Sequence, residues 1–136
     1  MKDNVFLDTN VFVYLYSEDE PDKRNKVLDI LKQHNCNTST QVLNELCHVC
    51  LKKLNKSAEE INLAVEEIYN ECNLSLVDII IIKKALSLHK KLGYSYYDCL
   101  IIASALACNC KYLFTEDLSN GQMIENKLNI MNIFAI

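Results

Sequence analysis

Residues 5–15 read Val5-Phe6-Leu7-Asp8-Thr9-Asn10-Val11-Phe12-Val13-Tyr14-Leu15: a short apolar run that ends on a carboxylate, a polar pair, and a second apolar run. A brief apolar segment bounded by polar residues has the pattern of a buried strand, so Asp8 stands where the chain leaves a sheet. Near the other end the arrangement recurs. Lys111-Tyr112-Leu113-Phe114-Thr115 reads as a strand, and Glu116-Asp117 follows it. In open parallel α/β sheets, sites form at the carboxyl ends of the strands.

Two helices between these strands carry further acids. Thr40 is expected to cap a helix whose inward stripe, Val42, Glu45, Leu46 and Val49, sets a carboxylate among apolar neighbours. Ser95-Tyr96-Tyr97-Asp98 opens a markedly apolar helix with the stripe Asp98, Ile101, Ile102 and Ala105. Each acid also has an ordinary reading. Asp98 suits the N3 place of a capping box begun by Ser95. Asp8 and Asp117 suit strand-end turns that bond to the backbone, and Glu45 suits a helix border that reaches solvent. Against those readings stands the recurrence of one pattern four times, with no basic residue at helical or strand spacing beside any of the acids. A buried carboxylate without a compensating cation is costly, and a metal ion would satisfy all four together. Hard carboxylate oxygens select Mg²⁺ or Mn²⁺.

The remaining elements follow from caps and periodicity. Pro21 and Asp22 open a helix to Gln33 with the stripe Val27, Ile30 and Leu31, and Asn37-Thr38-Ser39 forms a brief strand. Ser57 caps a helix from Ala58 to Asn70, and Leu74-Ser75-Leu76-Val77 reads as a strand. A helix from Ile79 to Leu92 is closed by Gly93, and the alternating residues from Leu128 to Phe134 read as an edge strand. Strands alternating with helices predict a parallel sheet with helices on both faces and right-handed crossovers.

With 136 residues, half of them hydrophobic, the chain is expected to form one domain, residues 1–136, large enough for a core without staples. It has no repeat and no low-complexity segment. Met1-Lys2-Asp3-Asn4 is too polar to open a signal peptide, and no stretch is long enough to span a bilayer, so a cytoplasmic location is expected. The seven cysteines agree with that, because Cys47, Cys50, Cys99 and Cys108 fall in apolar helical patterns where a reduced thiol packs as a small hydrophobe. Cys47-His48-Val49-Cys50 invites a zinc reading, but Cys108-Asn109-Cys110 has the wrong spacing for the second ligand pair. The net charge of −4 sits awkwardly with a polyanion. Lys52, Lys53 and Lys56, Lys83 and Lys84, and Lys90 and Lys91 offer local basic segments that could meet a phosphate backbone.

Four segments carry a family resemblance: Phe6-Leu7-Asp8-Thr9-Asn10-Val11, Ser39-Thr40-Gln41-Val42-Leu43-Asn44-Glu45, Ser95-Tyr96-Tyr97-Asp98-Cys99-Leu100-Ile101-Ile102-Ala103 and Phe114-Thr115-Glu116-Asp117-Leu118. In order and interval they resemble PIN domains, especially VapC-type toxin ribonucleases, over Val5 to Phe134. The resemblance implies a three-layer α/β/α sandwich around a central, mainly parallel sheet. It implies a Mg²⁺- or Mn²⁺-dependent endoribonuclease whose catalytic and metal-binding acids are Asp8, Glu45, Asp98 and Asp117, with Thr9, Asn10 and Thr115 lining the site. No acidic position is missing. The implied partners are RNA, an antitoxin protein and a second copy of the chain, with Leu51, Leu54, Ile61 and Val65 as the expected dimer interface. An RNA-processing PIN nuclease outside a toxin–antitoxin system, or a non-catalytic metal- or partner-binding domain, is the alternative. A phosphoacceptor receiver would want a further acidic pair by the first strand and a lysine after the last, and Asn132-Ile133-Phe134-Ala135-Ile136 supplies none. A phosphatase of the Asp-x-Asp type fails because Asn10 stands at its second aspartate, and asparagine is a poor proton donor or acceptor.

Overall fold

The computed structural model describes residues 1–135; Ile136, the last residue of the segment weighed against a receiver domain, lies outside them. In chain order the elements are β1 (Asn4–Leu7), α1 (Thr9–Tyr16), α2 (Pro21–Gln33), β2 (Asn35–Ser39), α3 (Thr40–Lys52), α4 (Ala58–Glu71), β3 (Asn73–Ser75), α5 (Ile79–Leu92), α6 (Tyr96–Ala107), β4 (Tyr112–Phe114), β5 (Met123–Ile124) and β6 (Leu128–Met131). The sheet order is β3-β2-β1-β4-β6-β5, parallel throughout except for β5, which runs antiparallel to β6. Helices flank this mostly parallel sheet in an α/β/α sandwich.

β1 lies at the centre because Val5, Phe6 and Leu7 are apolar on both faces, and all three are fully buried. The apolar helix α6 is buried continuously from Cys99 to Ala105 and packs against α5, β2 and β4. β2 is polar in composition yet buried, because its side chains bond to the neighbouring backbone. Asn37 Nδ2 donates to Val5 O at 3.2 Å, and Thr38 Oγ1 donates to Leu7 O at 3.1 Å.

Several expectations are corrected. The apolar run after Asp8, which its pattern alone assigns to no element, is the helix α1, begun by Asp8 as its cap. Ser39, not Thr40, caps α3: Ser39 keeps extended backbone angles and its Oγ accepts from Val42 N at 3.4 Å. Thr40 is already helical, and its hydroxyl instead accepts from Val77 N at 3.4 Å. The strand expected at Leu74–Val77 is β3, one residue earlier and shorter. The segment from Leu128 is not the edge, because consecutive left-handed residues Glu125 and Asn126 fold Met123–Ile124 back beside it as β5. Of the expected dimer residues, Ile61 is 7% exposed and belongs to this chain's own core, which removes it from any interface, while Leu51 remains exposed. No helix among the described residues is long and apolar enough to cross a membrane.

Candidate active site

The sheet reverses its winding at β1. The chain first builds outward through β2 and β3, then returns to place β4 on the other side of β1. The crevice at the carboxyl ends of β1 and β4 is therefore the topological switch point, where α/β sheets of this kind bind ligands. Asp8 follows β1 directly, its N–H still bonded to Phe114 O at 3.1 Å, and Thr115 follows β4, its N–H bonded to Met131 O at 3.1 Å.

These two residues meet. Asp8 is buried, its Oδ1 accepting from Thr9 N at 2.7 Å as the cap of α1, and its Oδ2 accepting from Thr115 Oγ1 at 2.8 Å. Thr115 Oγ1 in turn accepts from Asp117 N at 3.1 Å and from Asn10 Nδ2 at 3.4 Å, which uses its one donor and both acceptor positions. Asn10 Oδ1 accepts from Glu116 N at 3.3 Å. The loop after β4 is thus stitched to the first turn of α1.

The helical acids approach from the other side. Glu45, on the second turn of α3, accepts from Thr9 Oγ1 at 3.2 Å and from Gln41 Nε2 at 3.4 Å. Gln41 Nε2 also donates to Tyr97 O at 3.1 Å, tying α3 to the first turn of α6. There Asp98 offers its backbone N to Ser95 Oγ at 3.1 Å. That is a single cap and not a capping box, so the Asp98 carboxylate is not engaged by the Ser95 backbone.

The electrostatics bind the group together. Burial pushes the Asp8 carboxyl up to about 6 against the opposing hydrogen bonds from Thr115 and Thr9, and the charges of Asp117 and Glu45 push it the same way. Partial burial raises Glu45 too; its bonds from Thr9 and Gln41 oppose this, and the charges of Asp98 and Asp117 add to it. Each of the four acids therefore either feels or exerts this repulsion. Among the described residues none of them has an ion-pair partner: the pairs present are Lys23–Glu116 at 3.4 Å, Lys84–Glu125 at 2.5 Å and Lys111–Asp3 at 3.8 Å. Nor, among those residues, do any three Asp, Glu, His or Cys side chains stand close enough to hold a metal ion between them.

The sequence pattern does not separate Glu116 from Asp117, whereas the structure does. Glu116 turns to Lys23 and to Tyr14, whose hydroxyl donates to it at 2.7 Å, and the Lys23 ammonium lies over the Tyr14 ring at 4.7 Å. Gln41 and Tyr97 join the site without being marked by the acidic pattern. Their only sequence signal is a place one helical turn before Glu45 and one residue before Asp98.

No curated protein sequence matches the chain. Solved structures do match in fold. A chain of a toxin–antitoxin complex from Klebsiella pneumoniae has a TM-score of 0.72 at 16% identity, covering 97% of this chain and 99% of that one. One from VapBC2 of Rickettsia felis, bound to a DNA fragment from its promoter, has a TM-score of 0.69 at 21% identity over 95% of this chain and 99% of that one. The sarcin-ricin loop cleaving toxin VapC20 of Mycobacterium tuberculosis has a TM-score of 0.65 at 16% identity, over 83% and 89%. At such identities the likeness is one of fold. The PIN domain sequence pattern matches residues 5–119, from the first residue of the buried β1 run to just beyond Asp117, and by that match the chain belongs to the PIN domain family.

Proposed function

We propose that the chain is a divalent-metal-dependent endoribonuclease of the VapC type, the toxin of a toxin–antitoxin pair. One observation carries this reading: four carboxylates share a field at the switch point without a cationic partner among the described residues, and one of them, Asp8, is buried. A protein that needed only strand ends and helix caps would have no use for that repulsion. The donor set suits Mg²⁺ or Mn²⁺, being all hard oxygen. Mg²⁺ is typically held by one or two carboxylates and keeps several waters, so the site does not need three side chains in direct contact with it.

Asp8 and Asp98 are assigned as direct ligands, with Asp117 bonding to waters that the ion keeps. Bound there, the ion would supply Lewis-acid polarisation of a phosphodiester and activation of water. Glu45, whose carboxyl is raised by partial burial, orients the attacking water and accepts its proton. Thr115 and Thr9 hold Asp8 in one orientation, and Asn10 holds the loop that carries Asp117.

The antitoxin reading is supported by the toxin–antitoxin structures that share the fold and by a cleft that could receive such a partner. A cavity of about 530 Å³ lies between α1, α2 and α4, with Phe12, Leu15, Leu28 and Leu31 beside Arg24 and Glu67. A second copy of the chain is the other expected partner, and exposed Leu51 stays available to it.

The test is cleavage of single-stranded RNA by purified protein. Activity should vanish in EDTA, return with Mg²⁺ or Mn²⁺, and fall by several orders of magnitude in Asp8→Asn and Asp98→Asn. Undiminished cleavage in EDTA or in either folded variant would overturn the assignment. A small protein encoded beside the gene should co-purify and suppress cleavage, and Leu28→Asp should release it. Nuclease activity without such a partner would point to RNA processing outside a toxin–antitoxin system.

A further inference from the structure

Beside Glu45, between the start of α3, the start of α6 and the segment that leads into α5, lies a second cavity of about 380 Å³ lined by Thr40, Gln41, Asn44, Glu45, Val77 and Tyr97. Its volume falls within the range of small-ligand sites. Its chemistry is that of a base-binding site. Tyr97 is 65% exposed, an unusual state for an aromatic in the first turn of an otherwise buried helix, and its ring is steadied edge-on by Tyr96 at 5.6 Å between centroids. Val77 adds an apolar surface. Asn44 is exposed, and its amide has no hydrogen-bond partner among the described residues. The Gln41 amide nitrogen is committed to Tyr97 O and Glu45. That fixes the carbonyl Oε1, a buried acceptor without a donor. Gln41 therefore holds Tyr97 and Glu45 in place at the rim of the cavity.

We propose that this cavity is a nucleobase subsite, taking one unpaired base of the RNA next to the scissile phosphate: the base stacks on Tyr97 and is read by the Asn44 amide. Proteins that select RNA sequence do so on splayed single-stranded bases, by aromatic stacking and amide hydrogen bonds to base edges. The position is apt, since Glu45 belongs both to this cavity and to the acidic site, and Tyr97 immediately precedes Asp98. A base held here leaves its own phosphate at the acids. The proposal rests on the ribonuclease reading for its ligand, but binding can be measured without cleavage.

The experiment uses a short single-stranded RNA, intact or with one abasic residue walked along it. Binding is read by fluorescence anisotropy in Ca²⁺, which offsets the charge of the acids, and cleavage separately in Mn²⁺. In the wild type, one abasic position should weaken binding about tenfold, the scale of losing a single base–aromatic stack. Tyr97→Ala should bind intact RNA about as weakly and lose nothing more at that abasic position, while Tyr97→Phe should behave as wild type. Wild-type binding indifferent to every abasic position overturns the subsite, as does Tyr97→Ala weakening intact and abasic RNA equally. A Tyr97→Ala variant that binds RNA normally but changes oligomeric state by light scattering also overturns it, and assigns the face to a protein contact. Base-dependent binding with no cleavage in Mn²⁺ would sustain the subsite and retire the nuclease reading. Base-blind binding with metal-dependent cleavage would do the reverse.

Discussion

Asp8 is the residue on which the metal-free protein's pH behaviour turns. Its carboxyl is raised by burial to about 6, above the 3.8 of an exposed aspartate, so the folded chain holds the proton more tightly than the unfolded one. Its contribution to stability is therefore greatest where Asp8 is protonated in both states. It falls as pH rises from about 4 to about 6, by on the order of 3 kcal/mol at about 1.4 kcal/mol per pKa unit. Denaturant melts in EDTA across pH 4 to 7 should show this decline, and Asp8→Asn should flatten it. Flattening will not come free of loss, because an asparagine NH₂ turned toward Thr115 meets a hydroxyl whose acceptor positions are already used by Asn10 and Asp117. A pH profile identical in wild type and Asp8→Asn would place the titration elsewhere. Thr115 has the complementary test. Thr115→Val strands the Asp117 N–H and removes the donor to Asp8, at about 1–3 kcal/mol for each buried polar group left unpaired, whereas Thr115→Ser keeps all three bonds. Equal melting temperatures for the two variants would refute that role. Both residues are legible in the sequence, since a carboxylate and a hydroxyl each directly follow an apolar strand. The bond between them is not, because it depends on β1 and β4 being neighbours.

The helices place the other two acids, and their ends are where the chain spoke most clearly. Pro21, Ser57 and Gly93 all mark the termini that the structure has, and there Ser57 forms a full capping box with Glu60. Gly93 matters most for the site, because its left-handed φ of 77° ends α5 and lets Ser95, two residues later, cap the turn that carries Asp98. Nothing lies within 4 Å of a Cβ added there, so Gly93→Ala meets backbone strain alone. It should cost about 1 kcal/mol and lower the melting temperature by a few degrees, read by calorimetry. A loss several times larger would mean that the α5–α6 junction repacks. Elements went unread where ordinary signals were absent or did two jobs. α1 hid because its cap, Asp8, is also the strand end and its body, Val11-Phe12-Val13, has the composition of a strand. β2 extends beyond its sequence signal because Asn35 and Cys36 look like loop, and β5 carries none because its turn uses Glu125-Asn126 in place of a glycine pair.

At the scale of the whole molecule, the topology decides which acids share a site. Parallel strands with the reversal at β1 put Asp8 and Asp117 on adjoining strand ends, and α3 and α6 start at the same edge of the sheet. Adjacent acids in sequence are separated by this arrangement, and metal linkage should expose the separation. A ligand that binds only the folded state stabilises it by about 2.7 kcal/mol at a hundredfold excess over its Kd. For a chain of this size that is a rise in melting temperature on the order of 10 °C. Millimolar Mn²⁺ should raise wild type in this way. Asp98→Asn should start no lower than wild type in EDTA, because its cap uses the Asp98 backbone N–H and survives, while the charge that pushes on Glu45 is gone. It should then gain little from Mn²⁺, so that metal reverses the order of the two proteins. Glu116→Gln is the control: its carboxylate is held by Lys23 and Tyr14, so the variant should lose some stability yet keep the wild-type metal shift. Equal shifts in wild type and Asp98→Asn would remove Asp98 from the metal site. A shift lost in Glu116→Gln but kept in Asp117→Asn would mean that the loop after β4 presents the other acid to the ion.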